Sequence, residues 1–172
     1  MTAEIQRQAR RLSYVALGSN LGDSRQIILD AMARLQDFSD GPVLKSSLWQ
    51  TSPVDCPRGS PQFVNAVVGF IPQEGETPES LLQKMQELEK ASGRAPKTIS
   101  NEPRPLDLDL IAFGQETRHT PELILPHPRA HLRRFVLQPL SEIAPELILP
   151  GQGKTVAELL AELPANETVT RI

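Results

Sequence analysis

The sequence predicts an α+β fold of ferredoxin-like arrangement: an antiparallel sheet core with helices packed on it in three α/β/α layers, followed by a C-terminal extension. Two observations carry this. Across the first hundred or so residues, period-2 and helical apolar spacings alternate in the order strand–helix–strand–strand–helix–strand. The chain has 172 residues, 39% hydrophobic and 23% charged, which suits one soluble domain with a real core. The expected domain spans 13–163, with 1–12 as a polar N-terminal tail or loose helical arm.

Tyr14-Val15-Ala16-Leu17 reads as a short buried strand, closed by the turn Gly18-Ser19-Asn20-Leu21-Gly22-Asp23. Asp23 or Ser24 can cap the next helix, where Ile27, Ile28, Ala31, Met32 and Leu35 recur at helical spacing. A glycine turn in this place could cradle phosphate, but it lacks the dinucleotide and P-loop patterns, so a structural turn is expected. Val43 to Trp49 is a second strand, and a Pro/Gly/Ser-rich loop follows from Thr51 to Pro61. Phe63 to Phe70 is a third strand with Phe63, Asn65 and Val67 on one face. An amide inside so apolar a segment must be paired, so Asn65 either satisfies backbone or reads a polar ligand.

Thr77 and Pro78 open a second helix in cap-then-proline order, and Gly93 closes it after Ser92. Leu81, Leu82, Met85 and Leu88 form its core stripe, while Gln86 and Glu89, three apart, can share another face. Past a polar stretch with two prolines comes Leu106-Asp107-Leu108-Asp109-Leu110, a strict alternation. On a strand, both carboxylates project to one side, a setting for one or two hard cations, or else a solvated acidic face. Aspartate suits strands poorly, and two together on so apolar a run favour a site. Leu123-Ile124-Leu125 is a further short strand, Pro126-His127-Pro128-Arg129 a rigid elbow, and Phe135 to Ile143 returns apolar residues to the core. Thr155 caps a last helix, Val156 to Leu163.

Charge and composition narrow the function. The net charge of −3 argues against a general nucleic-acid or membrane-surface binder. Between Arg94 and Arg134, however, seven Lys/Arg face five Asp/Glu, so that segment is +2 and the rest −5. Arginines gathered around a carboxylate pair suggest a polyanion held together with a metal, although any one of them alone reads as surface. The single cysteine, Cys56, excludes an internal disulfide framework. No signal peptide and no apolar run of membrane-spanning length is seen, so the expected compartment is the cytoplasm. Gly151-Gln152-Gly153-Lys154-Thr155 is a P-loop decoy, with Ile148 where the first glycine belongs.

Seven blocks then fall in order: Gly18-Ser19-Asn20-Leu21-Gly22, Thr51-Ser52-Pro53, Phe63-Val64-Asn65-Ala66, Gly93-Arg94, Pro103-Arg104 with Leu106-Asp107-Leu108-Asp109, Pro126-His127-Pro128, and Pro139-Leu140 to Ala144-Pro145. Together, over roughly residues 13–150, the chain resembles the 6-hydroxymethyl-7,8-dihydropterin pyrophosphokinases of folate biosynthesis. The resemblance implies transfer of pyrophosphate from ATP to the pterin hydroxymethyl oxygen with release of AMP. It implies two Mg²⁺ ions on Asp107 and Asp109, and Arg94 and Arg104 on a loop closing over the triphosphate. Gln86, Glu89, Lys97, Leu110, His127 and Arg133 would contact ATP. Thr51, Val54, Phe63, Asn65 and Phe135 would form the pterin pocket. Small-molecule partners, no nucleic acid, no membrane and a monomeric state are the corresponding expectations.

The chain departs from the family pattern in three loop positions. Asn101-Glu102 stands where Trp-Gly is usual, Pro96 where a second arginine is common, and Gly59-Ser60-Pro61-Gln62 in place of an Asp-Gln-Pro block. Two other readings of the same residues are a metal-dependent nucleotide phosphohydrolase and a non-catalytic module, such as an RNA-binding domain, on the same fold. The latter calls for exposed strand aromatics, whereas aromatics are only 4% of the chain. An inactive homologue is a further alternative, because of Asn101-Glu102.

Overall fold

In the computed structural model, residues 3, 11–51, 62–93, 105–165 and 168–172 are described. Among them the strands are β1 (Ser13–Ser19), β2 (Leu44–Lys45), β3 (Trp49–Thr51), β4 (Phe63–Phe70), β5 (Asp107–Phe113), β6 (Arg118–His119), β7 (Ile124–Leu125) and β8 (Val169–Arg171). The α-helices are α1 (Ser24–Leu35), α2 (Pro78–Ala91), α3 (Arg134–Ile143) and α4 (Val156–Glu162). The main sheet has the order β5-β1-β4-β3-β8 with β2 also on β4, and every pairing is antiparallel. This is the α+β sheet expected, with β4 at its middle and β1 between β4 and the edge strand β5.

The two helix starts follow from their caps. Asp23 accepts from the Gln26 amide at the head of α1, and Thr77 and Ser80 exchange bonds in a capping box at the head of α2. Gly93, at φ +92°, ends α2 in the left-handed conformation that only glycine adopts cheaply.

Alternation along the strands divides the sheet's two faces. Val15, Leu17, Val64, Ala66, Val68, Phe70, Leu108 and Leu110 meet Ile28, Met32, Leu35, Leu81, Met85 and Leu88 of α1 and α2. Tyr14, Val67, Ile111 and Ala112 meet Val136, Leu137, Leu140 and Val156 of α3 and α4. Each fully buried Leu, Ile or Phe contributes roughly 1.5–3 kcal/mol, so both layers are firmly attached.

Several expectations are corrected. Gly18 and Ser19 lie inside β1, because both β4 and β5 pair with the chain through Gly18. The expected strand Val43 to Trp49 is broken between Lys45 and Trp49. There the Ser46 hydroxyl oxygen accepts the Val67 N–H at 2.9 Å, and the Ser47 N–H donates to Glu142 at 3.0 Å, so side chains interrupt the ladder. Phe135 to Ile143 returns apolar residues to the core as expected, and does so as a helix with Pro139 buried in its interior. Leu123 falls outside β7, which pairs with β6, a strand not expected. The last helix ends at Glu162, and β8 adds to the edge of the same sheet at β3, past the expected end at 163.

Candidate active site

Among the described residues, α3 and α4 pack on the end of their sheet face that holds Tyr14, Val67 and Ile111. At the other end, cross-strand register assembles the residues singled out above. Asp107 of β5 stands opposite Gly18 of β1, which stands opposite Asn65 of β4. The next row is Asp109, Ala16 and Val67. Residues directly opposite each other project to the same face, so both carboxylates and the amide share one surface with the two smallest residue types between them.

The polar half of this surface is fixed by hydrogen bonding. Asn65 is 6% exposed and Thr51 5%, and the Asn65 Nδ2 donates to Thr51 Oγ1 at 2.8 Å. The amide oxygen faces the Gly18 side, 3.1 Å from where a Cβ on Gly18 would sit. Phe63 and Phe135 are half-buried, from β4 and the start of α3, and Arg133 lies over the Phe135 ring at 5.4 Å. Two aromatic rings near a satisfied amide can sandwich a flat heterocycle and read its edge.

At the acidic end, Asp107 and Asp109 are half-buried on the edge strand β5. An edge strand turns alternate amides away from its partner, and these need acceptors. Glu89, near the end of α2 and 8% exposed, supplies one: its Oε2 accepts from the Leu108 N–H at 2.8 Å. Glu89 thus ties α2 to the peptide between the two aspartates, a role its spacing with Gln86 did not reveal; Gln86 itself is exposed. The Leu110 side chain is 4% exposed in the core, so only backbone is offered to a ligand there.

His127 sits beside this end, its N–H donating to the Ile111 carbonyl at 2.9 Å. Burial and the nearby Arg133 and Arg129 push its pKa down to about 4, against the weaker pull of Asp107. The imidazole is therefore neutral at pH 7. Its Nδ1 accepts from the Arg129 N–H at 3.1 Å, which assigns the ring proton to Nε2 and leaves that atom as a donor. Val54, Arg94, Lys97 and Arg104 lie outside the described residues.

Among the described residues no group of three or more His, Cys, Asp and Glu converges on a metal position. Two carboxylates on one strand face are a donor set that Mg²⁺ accepts, with waters and phosphate oxygens in the rest of its shell. Paired carboxylates, cationic side chains and a pocket for a flat acceptor are the equipment of a metal-dependent phosphoryl-transfer enzyme.

Comparison with known proteins agrees and is more specific. Residues 14–145 match the family 7,8-dihydro-6-hydroxymethylpterin-pyrophosphokinase (HPPK). A 2-amino-4-hydroxy-6-hydroxymethyldihydropteridine pyrophosphokinase of Pseudomonas aeruginosa is 40% identical over 154 residues, 88% of this chain and 91% of that one. The protein of the same name in Bacillus subtilis is 37% identical, covering 79% of this chain and 80% of that one. The folic acid synthesis protein fol1 of Pneumocystis carinii is also 37% identical, but this chain spans only 20% of its length. Among solved structures, a Plasmodium falciparum HPPK-DHPS aligns with a TM-score of 0.68 at 14% identity, over 88% of this chain and 43% of that one, and shares the fold. The chain belongs to the 7,8-dihydro-6-hydroxymethylpterin-pyrophosphokinase family.

Proposed function

We propose that this chain transfers the terminal diphosphate of ATP to the hydroxymethyl oxygen of 6-hydroxymethyl-7,8-dihydropterin, giving the pterin diphosphate and AMP for folate synthesis. The observation that carries the assignment of its parts is the row Asp107–Gly18–Asn65, which sets a carboxylate pair beside a locked amide on one rigid sheet.

Asp107 and Asp109 would hold Mg²⁺, two ions by resemblance to the family, while ATP and the pterin are substrates. The metal would supply neutralisation of phosphate charge. Asn65, oriented by Thr51, hydrogen-bonds the pterin edge, with Phe63 and Phe135 against its faces; by resemblance to the family, Val54 would contact the pterin as well. His127 donates from Nε2 and Arg133 adds a cation at the phosphate end, with Gln86 at the nucleotide; by resemblance to the family, Arg94, Lys97 and Arg104 would also bind the phosphates. The Leu108 tie makes Glu89 a residue that holds the aspartate strand. Phosphoryl-type transfer asks a protein mainly for alignment and charge stabilisation, and this set provides both. None of the described helices is long and apolar enough to cross a membrane. A monomer acting in the cytoplasm fits this reading.

Incubation with Mg-ATP and the hydroxymethyl-dihydropterin tests it. AMP should form in proportion to pterin diphosphate, and Asp107→Ala should lose that activity. Phosphate or pyrophosphate released without pterin would instead identify a phosphohydrolase.

A further inference from the structure

Gly18 sits in the interior of a seven-residue strand, where glycine is weakening and usually marks a close approach of something else. Its backbone does not require glycine. Among the described residues the left-handed glycines are Gly22, Gly41, Gly75, Gly93, Gly114 and Gly151, and Gly18 is not one of them. Nor does internal packing demand it in the way it demands Gly69, where a Cβ would come within 2.8 Å of the Tyr14 ring. A Cβ on Gly18 would stand 3.1 Å from Asn65 Oδ1 and 3.8 Å from Phe63 Cδ1, and no other heavy atom of the described residues lies within 4 Å. The missing side chain therefore belongs to the face shared by Asn65 and Asp107, where Gly18 is buried against the Asn65 amide and the Phe63 ring.

Strands lie about 4.8 Å apart, so Asp107 and Asn65, one strand to either side, are separated by about 10 Å with Gly18 midway. We infer that Gly18 is the clearance over which the two substrates meet: its bare Cα lets the pterin hydroxymethyl oxygen reach the β-phosphorus of ATP. This rests on the reaction proposed above. In that step the oxygen's lone pair forms the new O–P bond, and the bond from the β-phosphorus to the oxygen bridging to the α-phosphate breaks. That electron pair leaves with AMP, and the hydroxyl proton is released to water. Reaction requires the oxygen within about 3–3.5 Å of phosphorus, and a misplacement near 1 Å can cost about a hundredfold. A methyl group at position 18 is large enough to cause it: it would stand 3.1 Å from the Asn65 oxygen, so it either crowds the substrates or tilts the amide by a few tenths of an ångström.

The test compares wild type and Gly18→Ala in three measurements: melting temperature, affinity for each substrate alone and in pairs with a non-hydrolysable ATP analogue, and single-turnover AMP formation. The melting temperature should stay within about 3 °C, the Mg-bound analogue alone should bind within threefold of wild type, and transfer should slow about a hundredfold. Transfer within threefold of wild type overturns the inference, and so does an unfolded Gly18→Ala, since that makes the glycine structural. A second measurement uses unaltered protein and a pterin carrying one extra methyl on its hydroxymethyl carbon. This compound should bind about tenfold more weakly when the ATP analogue is present than when it is absent; equal affinities overturn the inference. Wild-type protein that makes no pterin-dependent AMP would instead refute the reaction itself.

Discussion

Removing Glu89 should loosen the aspartate strand before it touches any ligand. Its carboxylate is 8% exposed and accepts from the Leu108 N–H at 2.8 Å, between Asp107 and Asp109. In Glu89→Ala that edge amide loses a charge-assisted bond, at a cost of about 1.5–3 kcal/mol. An opposing term is smaller: a carboxylate in the last turn of α2 faces the negative end of the helix dipole, and its removal recovers about 0.5 kcal/mol. The net is about 2 kcal/mol, which for a chain of this size lowers the melting temperature by about 4–8 °C. Glu89→Gln keeps a neutral acceptor and should recover at least half of that. Calorimetry of metal-free protein gives both values, and a Mg²⁺ titration of AMP formation should show Glu89→Ala needing several-fold more metal. A melting temperature within 1 °C of wild type, or equal losses in the two variants, would show that the Leu108 tie holds nothing.

Asp107→Asn and Asp109→Asn should each lower AMP formation by about a thousandfold or more while leaving far-ultraviolet circular dichroism unchanged; a fall under tenfold in either would remove that residue from the metal set. Thr51→Val leaves the buried Asn65 Nδ2 without its acceptor, so a loss of about 1–2 kcal/mol and weaker pterin binding with ATP-analogue binding retained are expected, read by denaturation and titration. Because the folded-state pKa of His127, about 4, lies below its ordinary 6.5, the unfolded chain binds the proton first, and stability present above pH 6.5 is lost as pH falls toward 4. Between pH 7 and 4.5 in EDTA that loss should be about 2 kcal/mol larger in wild type than in His127→Gln. Glu142→Ala releases the indole N–H of Trp49, held at 2.6 Å, and should shift the emission of the chain's one tryptophan; unchanged emission would mean the bond does not persist in solution.

The elements legible in the sequence are those written in local periodicity. β4 is a continuous apolar run interrupted by Asn65, β5 opens on the alternation Asp107-Leu108-Asp109-Leu110, and α2 is bracketed by its cap, proline and closing glycine. The aspartate pair and Asn65 stand out because a polar residue type is foreign to so apolar a segment, whereas Phe63 enters the site only through the family resemblance. What stayed hidden depends on partners far along the chain. Gly18-Ser19-Asn20 has the composition of a turn, and only pairing with Asn65 and Asp107 makes Gly18 part of a strand. Val43 to Trp49 has strand composition throughout, but Glu142, nearly a hundred residues later, takes the Ser47 N–H. Glu89 left one usable hint, an acidic residue at the wrong end of a helix for the dipole. β6 and β8 span two and three residues, too short for any period to register.

The position of β1 explains why the two halves of the site can be trusted to stay in register. β1 is hydrogen-bonded along both edges, to β5 on one side and β4 on the other, so the span from Asp107 to Asn65 is set by two backbone ladders and not by side-chain packing. Buried residues on the opposite face, Val15 and Leu17 among them, pin that strand against α1 and α2, so a one-residue slip would turn them toward the site and the carboxylates toward the core. The reacting span is therefore as stable as the fold itself, which is what a reaction catalysed chiefly by alignment requires. The same coupling means that substitutions at Ala16 or Gly18, although they remove no functional group, should reduce the rate of transfer more than the affinity for either substrate, whereas changes at Arg133 or His127 should act first on nucleotide affinity.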